Sequence, residues 1–490
     1  MKPLRDALHE MAALPYDVPE KGHAGTSSTW RASRYAWFHR KLLEDAGADD
    51  LQAFLDANLD EIRLFYAEKF ADAVLRKTDH DDAIYFRHGV LRREITKDME
   101  FEKQRDHAAH TVNNYLLGWF VVCNSEIMSS ALFDAFARRK PHWMAEMDSD
   151  YFYSRFGSIW MIPSLLHDVG YLFEGSLASL DARTTTEKAR KGAEYVQDFF
   201  TTLFWEDIGL APAALRRAAM EATNIEVPII STDSLGTISD SLRDVGNLDD
   251  LWQRVLAQEP GFDAMLKGKL LVGDAFRLWE AHYRSFGHEQ MAANVQEMEK
   301  VYLSLLRKGL PEIGLRIIDH GVAGGLLLML HSTLFFRLLY GLVGKTGGAG
   351  AFLHEVERVF VEPAMHKYEA SWWWTMITWA TGAVAIHNVA QQFPPWKPGG
   401  ETHAPLKLED DPLAYLGILV DVLQEWDRYT SARNSVFTGK LPVSSNDVKV
   451  GVRGAVVLIS FKDGEKEKKA KEDLGCLERW ERVVKFEPWI

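Results

Sequence analysis

The adjacent pair His167-Asp168 closes the apolar stretch Ile162-Pro163-Ser164-Leu165-Leu166, and isolated histidines stand at 110, 320 and 387. Burying an imidazole or a carboxylate without a partner is costly. A divalent cation offsets that cost, because hard and borderline metals take imidazole nitrogen and carboxylate oxygen together. Four histidines and the two aspartates Asp168 and Asp421 would give two ions about three ligands each, with an aspartate shared. Two cations held so close can share a hydroxide and clamp a phosphoryl group.

Asp421 belongs to this set because of its helix face. On a helical wheel it sits with Ala414, Gly417, Gln424 and Arg428, while Leu416, Leu419, Leu423 and Trp426 lie opposite. A solvent face would carry Lys and Glu; small residues beside a carboxylate leave room for something bound. His107, three residues before His110, shares its helix face. His107 and Asp168 are the expected catalytic groups, and Arg105, Gln424 and Arg428 the expected substrate contacts. Gly344-Lys345-Thr346 is not a phosphate-binding loop, since Leu339 stands where that motif needs glycine.

The elements that must position these groups read as helices. Residues 30–100 repeat their apolar positions at three and four. Residues 107–123 and 150–170 read as two apolar helices, and others follow at 321–343, 351–361 and 370–391. Asp411-Pro412 reads as an N-cap and first-turn proline. Residues 176–310 are more amphipathic, interrupt the apolar helices and read as an insertion or cap. His282 and His288 within it read as surface or cap. Past 445 the period becomes two: VKVGVRGAVVLISF reads as strands, KDGE as a turn, EKEKKAKEDLG as a solvated charge run and ERVVKFEPWI as a last strand. The expected fold is mainly α, with an N-terminal helical region (1–100), a catalytic core (101–440) carrying the 176–310 insertion, and a small β appendage (445–490).

Bulk properties narrow the function classes. The chain has 490 residues, 47% of them hydrophobic, enough for a large core. A net charge of −14 argues against binding long nucleic acid or an anionic membrane through bulk charge. Two distant cysteines, Cys123 and Cys476, argue against a disulfide framework and against thiolate zinc, which fits a reducing cytoplasm. The start of the chain has no signal-peptide pattern. The most apolar stretch, Gly321–Val343, carries His331 and Arg337 and reads as a buried helix rather than a membrane span.

The ordered set His110, His167-Asp168, His320, His387 and Asp421 resembles the HD-domain metal-dependent phosphohydrolase superfamily, named for its His-Asp doublet. LLHDVGY is similar to the doublet's setting and DHGVAGGLLLML to a further His-bearing helix of two-metal members. AIHN and DPLAYLGILVDVLQEWDR are similar to the closing helices. The resemblance covers residues 105–175 and 315–430. It implies an HD-type helical core with His110, His167, Asp168 and Asp421 on one metal, and with His320 and His387 joining Asp168 on a second. The ions would be one or two divalent cations: Mn, Mg, Fe, Zn or Ni. It further implies hydrolysis of a phosphate ester, a nucleotide or cyclic nucleotide, by metal-activated hydroxide. Tyr171 stands where HD-type cyclic-dinucleotide phosphodiesterases commonly have lysine, and Asn388 where they pair a second histidine. Both departures count against that substrate. The same scaffold also resembles di-iron oxygenases and non-catalytic ligand sensors, which remain the alternatives. The expected partner is a small phosphorylated molecule, with no membrane and with homo-oligomerisation left open.

Overall fold

A computed structural model describes residues 1–13, 47–58, 60–77, 87, 107–140, 146–170, 272–308, 320–322, 324–325, 328–329, 370–389, 404–424, 426 and 444–490. In chain order the elements are β1 (Lys2–Pro3), α1 (Leu4–Ala13), α2 (Gly47–Asp56), α3 (Asp60–Lys77), α4 (His107–Asn124), α5 (Glu126–Arg138) and α6 (Ser149–Leu165). A 3-10 turn, His167–Gly170, follows. Then come α7 (Val272–Ser285), α8 (Glu289–Lys308), α9 (Ala370–Val389), α10 (Pro412–Leu423), β2 (Val448–Arg453), β3 (Val456–Phe461), α11 (Gly464–Asp473) and β4 (Val484–Phe486). The described chain is mainly α with one small C-terminal sheet.

The chain forms two compact units. The first comprises Met1–Thr78, Ile95–Asp168 and Ile386–Ile490; the second comprises Asp79–Glu94 and Val169–Ala385. In the first, α4 is the central helix and touches α3, α5, α6 and α10. Every residue from Ala108 to Asn124 is buried, as expected of a helix that is apolar all round. Such a helix must answer its own polar groups. Thr111 Oγ1 donates to Ala108 O (3.0 Å) and Asn124 Nδ2 to Phe120 O (2.7 Å). His110 and Asn114 reach outward to other elements instead. Gly118 lets α6 approach: a β-carbon there would overlap the indole of Trp160, whose Nε1 donates to Tyr115 O at 3.1 Å.

The site-bearing segments start and stop for local reasons. Asp148 caps α6 by accepting from Tyr151 N (2.7 Å). Pro163 lies in the last turn, where its missing N–H weakens the helical ladder, and α6 ends at Leu165. His167-Asp168 therefore sits in the 3-10 turn after the helix rather than on it. Asp411 caps α10, accepting from Leu413 N (3.1 Å) and Ala414 N (2.9 Å), with Pro412 at the first helical position. A cap of this kind contributes about 1 kcal/mol. The helix ends at Leu423, so the wheel that carried Gln424 and Arg428 along α10 is corrected. Gln424 is the C-cap residue, at φ −83° and ψ 85°.

The sheet runs β1-β2-β3-β4, antiparallel between β1 and β2 and between β2 and β3, and parallel between β3 and β4. Val448 pairs with Phe461 and Arg453 with Val456, so two residues connect the hairpin. Gly454, at φ +64°, supplies the backbone that so short a connection needs. Because β1 is the N-terminal strand, both chain ends meet in one sheet. KDGE is not a turn: Asp463 accepts from Glu465 N (2.9 Å) and caps α11, so the solvated charge run is carried on a helix. Only Ala470 of that helix is buried.

In the second unit α7 and α8 pack against each other, joined through Gly287 at φ +79°. Trp279 Nε1 donates to Thr381 Oγ1 of α9 at 3.2 Å. His282 is buried, with its ring against Tyr283 and Phe286, which corrects the surface reading from sequence. The amphipathic face of α7 turned it inward. His288 is half-buried. No single described helix is long and apolar enough to cross a membrane, although α4 and α5, bent by 98°, pass together on length and composition. Of the 321–343 stretch, the described residues 321–322, 324–325 and 328–329 are helical and buried.

Candidate metal centre

Four side chains from three separate segments converge in the first unit. His110 Nε2, on α4, lies 2.9 Å from Asp421 Oδ1, on α10. It lies 3.6 Å from Asp168 Oδ2. His167 Nε2 lies 3.2 Å from Asp168 Oδ1 and 3.6 Å from Asp421 Oδ1. His110, His167 and Asp168 are buried, and Asp421 is the one partly open member, with 26% of its side chain exposed. His387, near the end of α9, packs its ring edge-on against His167 with centroids 5.0 Å apart. His110 does the same from the other side at 5.3 Å.

The remaining ring nitrogens fix which atoms face the centre. His167 Nδ1 lies 2.9 Å from Ser164 O, a carbonyl that can only accept, so Nδ1 carries the proton. His110 Nδ1 meets Gln424 Oε1. Gln424 Nε2 donates to Trp426 O at 2.6 Å, which pins the amide with its oxygen toward His110. Both imidazoles therefore donate from Nδ1 and turn Nε2 toward two carboxylates. Ligating histidines are oriented in this way, by a hydrogen bond from the other nitrogen.

Two lone pairs do not sit 2.9 Å apart without a proton or a cation between them. In the metal-free protein, protons do this work. Burial disfavours a charged His167, but the charge of Asp168 and the hydrogen bond and charge of Asp421 outweigh it and raise the pKa above the usual 6.5. Burial would raise Asp421, but hydrogen bonds and charge from His110 and His167 hold it well below the usual 3.8. A cation answers the same geometry. Metal–ligand bonds of about 2.0–2.2 Å put neighbouring donors about 3 Å apart, the spacing found here.

Two overlapping triads can hold an ion: His110, His167 and Asp421, and His167, Asp168 and His387, with donor atoms within 4.8 Å of one another in each. Both use His167. A single Nε2 lone pair serves one ion, so the two triads cannot both be filled through that atom at once. His320 belongs to the second unit, where it is buried and its backbone carbonyl leaves no room for a side chain at Gly170.

Of the expected substrate contacts, Gln424 is buried and its Oε1 meets His110 Nδ1. Arg105 and Arg428 lie outside the described residues, as does the side chain of His107, whose backbone opens α4. Small residues do line the Asp421 face of α10: among the described residues, nothing comes within 4 Å of where a side chain at Gly417 would begin. Sequence reasoning missed Asn114. Its Nδ2 lies 3.2 Å from His110 Nε2 and 3.3 Å from Asp421 Oδ1. The available signal was an amide one turn past His110, four residues on and so on the same helix face. A separate cleft of about 390 Å³, lined by Arg138, Tyr415, Arg479 and Arg482 among others, lies elsewhere in the same unit and includes none of these residues.

No family model, curated protein or solved structure matches the chain.

Proposed function

We propose that the chain is a metal-dependent phosphohydrolase of HD type, cleaving a phosphate ester of a nucleotide or cyclic nucleotide. The observation that supports this reading is the shared orientation of His110 and His167. Each spends its Nδ1 proton on a fixed acceptor and aims Nε2 at the Asp168 and Asp421 carboxylates. The donor set, two imidazoles and two carboxylates, suits a divalent cation. Such an ion would lower the pKa of water and stabilise charge on a phosphoryl oxygen.

The residues have separable tasks. His110, His167, Asp168 and Asp421 would hold the ion. Gln424 and the Ser164 carbonyl keep both rings in register, so that little rearrangement accompanies loading. Asp421, partly open, marks the side from which a substrate or water reaches the centre. His110, His167 and Asp168 are themselves buried, which keeps bulk water from them and strengthens each charge interaction.

The test pairs elemental analysis of purified wild-type protein and Asp168→Ala with a panel of nucleotide and cyclic-nucleotide esters. The expected result is stoichiometric metal and phosphate-ester cleavage in wild type, with both lost in the variant. Metal-replete protein that leaves every ester intact while consuming oxygen would move the assignment to an iron oxygenase.

A further inference from the structure

Asn114 stands one helical turn after His110, on the same face of α4. It is 1% exposed. Its amide end lies 3.2 Å from His110 Nε2 and 3.3 Å from Asp421 Oδ1. These separations fall inside the range of 2.9 to 3.6 Å at which the His110 and His167 Nε2 atoms face the Asp168 and Asp421 carboxylates. By position, the amide is a member of the cluster rather than a neighbour of it.

The amide now presents its nitrogen, which donates to the Asp421 carboxylate and lies against His110 Nε2. Its Oδ1 is buried and has no hydrogen-bond partner among the described residues. Nothing on the oxygen side therefore holds the present orientation. A cation that replaces the proton between His110 Nε2 and Asp421 Oδ1 takes the carboxylate lone pair from the amide and repels the N–H groups. Rotation about the terminal torsion, a soft coordinate for asparagine, replaces the nitrogen with an oxygen donor at the same place.

We infer that Asn114 is a fifth metal ligand, an amide oxygen that turns inward when the ion binds; this rests on the metal-centre reading above. The set then becomes two nitrogens and three oxygens. That exceeds a closed tetrahedral zinc site and suits an ion that accepts octahedral geometry, such as Mn²⁺, with a position left for water.

The experiment titrates chelator-stripped full-length wild type, Asn114→Ala and Asn114→Asp with Mn²⁺ and, separately, with Zn²⁺. Binding is followed by calorimetry and folding by far-ultraviolet circular dichroism. Aspartate keeps an oxygen donor and loses the N–H. The expected result is Mn²⁺ affinity reduced about 10–100-fold in Asn114→Ala, with a smaller loss for Zn²⁺, and affinity at or above wild type in Asn114→Asp. Equal weakening in both variants would mean that the amide serves only as a hydrogen-bond donor to Asp421 and would overturn the inference. Unchanged affinity in both would overturn it too. Wild-type protein that binds neither ion would remove the metal-centre reading itself. Should Asn114→Ala not fold, Asn114→Asp beside wild type decides: retained affinity supports the ligand role and weakened affinity overturns it.

Discussion

His110 Nε2 and Asp421 Oδ1 meet at 2.9 Å although they lie far apart in the chain, one on α4 and the other on α10. The contact depends on Gln424. One residue past the end of α10, it holds His110 by Nδ1 while its own amide is anchored to the Trp426 carbonyl.

Replacing Gln424 by alanine leaves the His110 Nδ1–H without its acceptor and frees the ring. Metal affinity should fall about 10–100-fold, the usual cost of losing a partner that orients a ligating histidine. Gln424→Glu keeps the acceptor and should restore most of the binding. Titration of the two variants with Mn²⁺ checks this, and equal affinity in wild type and Gln424→Ala would remove the orienting role.

The shifted pKa values set a pH window for the metal-free protein. His167 is raised above 6.5, so its contribution to stability is full below the unfolded value and lost as pH climbs through the folded one. Asp421 is lowered below 3.8, so its contribution is full above that value and lost as pH falls through the folded one. Metal-free protein should therefore be most stable between the two and should lose stability on the alkaline side of His167. A cation needs the same Nε2 without its proton, so stabilisation by added Mn²⁺ should grow as pH rises across that side. Melting temperatures with Mn²⁺ and with chelator, measured across pH, test this; a gap that does not change with pH would contradict it.

Gly118→Ala should destabilise the first unit by about 1–3 kcal/mol, the range for overpacking a filled core. The added carbon meets the Trp160 indole, so α4 and α6 must move apart. Because α4 carries His110 and α6 leads into His167, metal affinity should fall with stability. Urea melts and metal titration on the same variant would separate this outcome from a purely local adjustment, which would leave the affinity intact.

Neither cysteine should react while the protein is folded. Cys123 and Cys476 are fully buried. Burial, aided by the charge of Asp473, pushes the Cys476 thiol up to about 12 despite a backbone hydrogen bond that lowers it, so almost no thiolate forms near neutral pH. A thiol reagent should find no group in native protein and two in denaturant. Rapid modification before unfolding would contradict the burial of these helices and the sheet.

The helices were legible because their signals are local. Asp411-Pro412, the three-and-four spacing of 47–77 and the alternation in 448–461 each state an element without reference to anything distant. The ligand types were legible for a related reason. A His-Asp pair or a lone histidine in an apolar run is anomalous unless something accepts it, and composition alone exposes the anomaly. KDGE misled because aspartate and glycine serve turns and helix caps alike, and the choice fell to the Asp463 side chain reaching Glu465 N. Pro163 was visible, yet where α6 stopped, and hence that His167 leaves the helix to bond the Ser164 carbonyl, was not.

Sequence alone determined the helical character, the C-terminal strands of the sheet (though not the N-terminal β1) and five of the side chains that gather at the centre. Tertiary structure decided that His167 rather than Asp168 is common to the two donor triads, that Gln424 steers a ring and that Asn114 stands among the ligands. These depend on the direction of single lone pairs and N–H groups after α4, α6 and α10 have packed. A hydrogen bond changes its meaning over less than an ångström and a few tens of degrees, a scale that residue spacing along a chain does not encode.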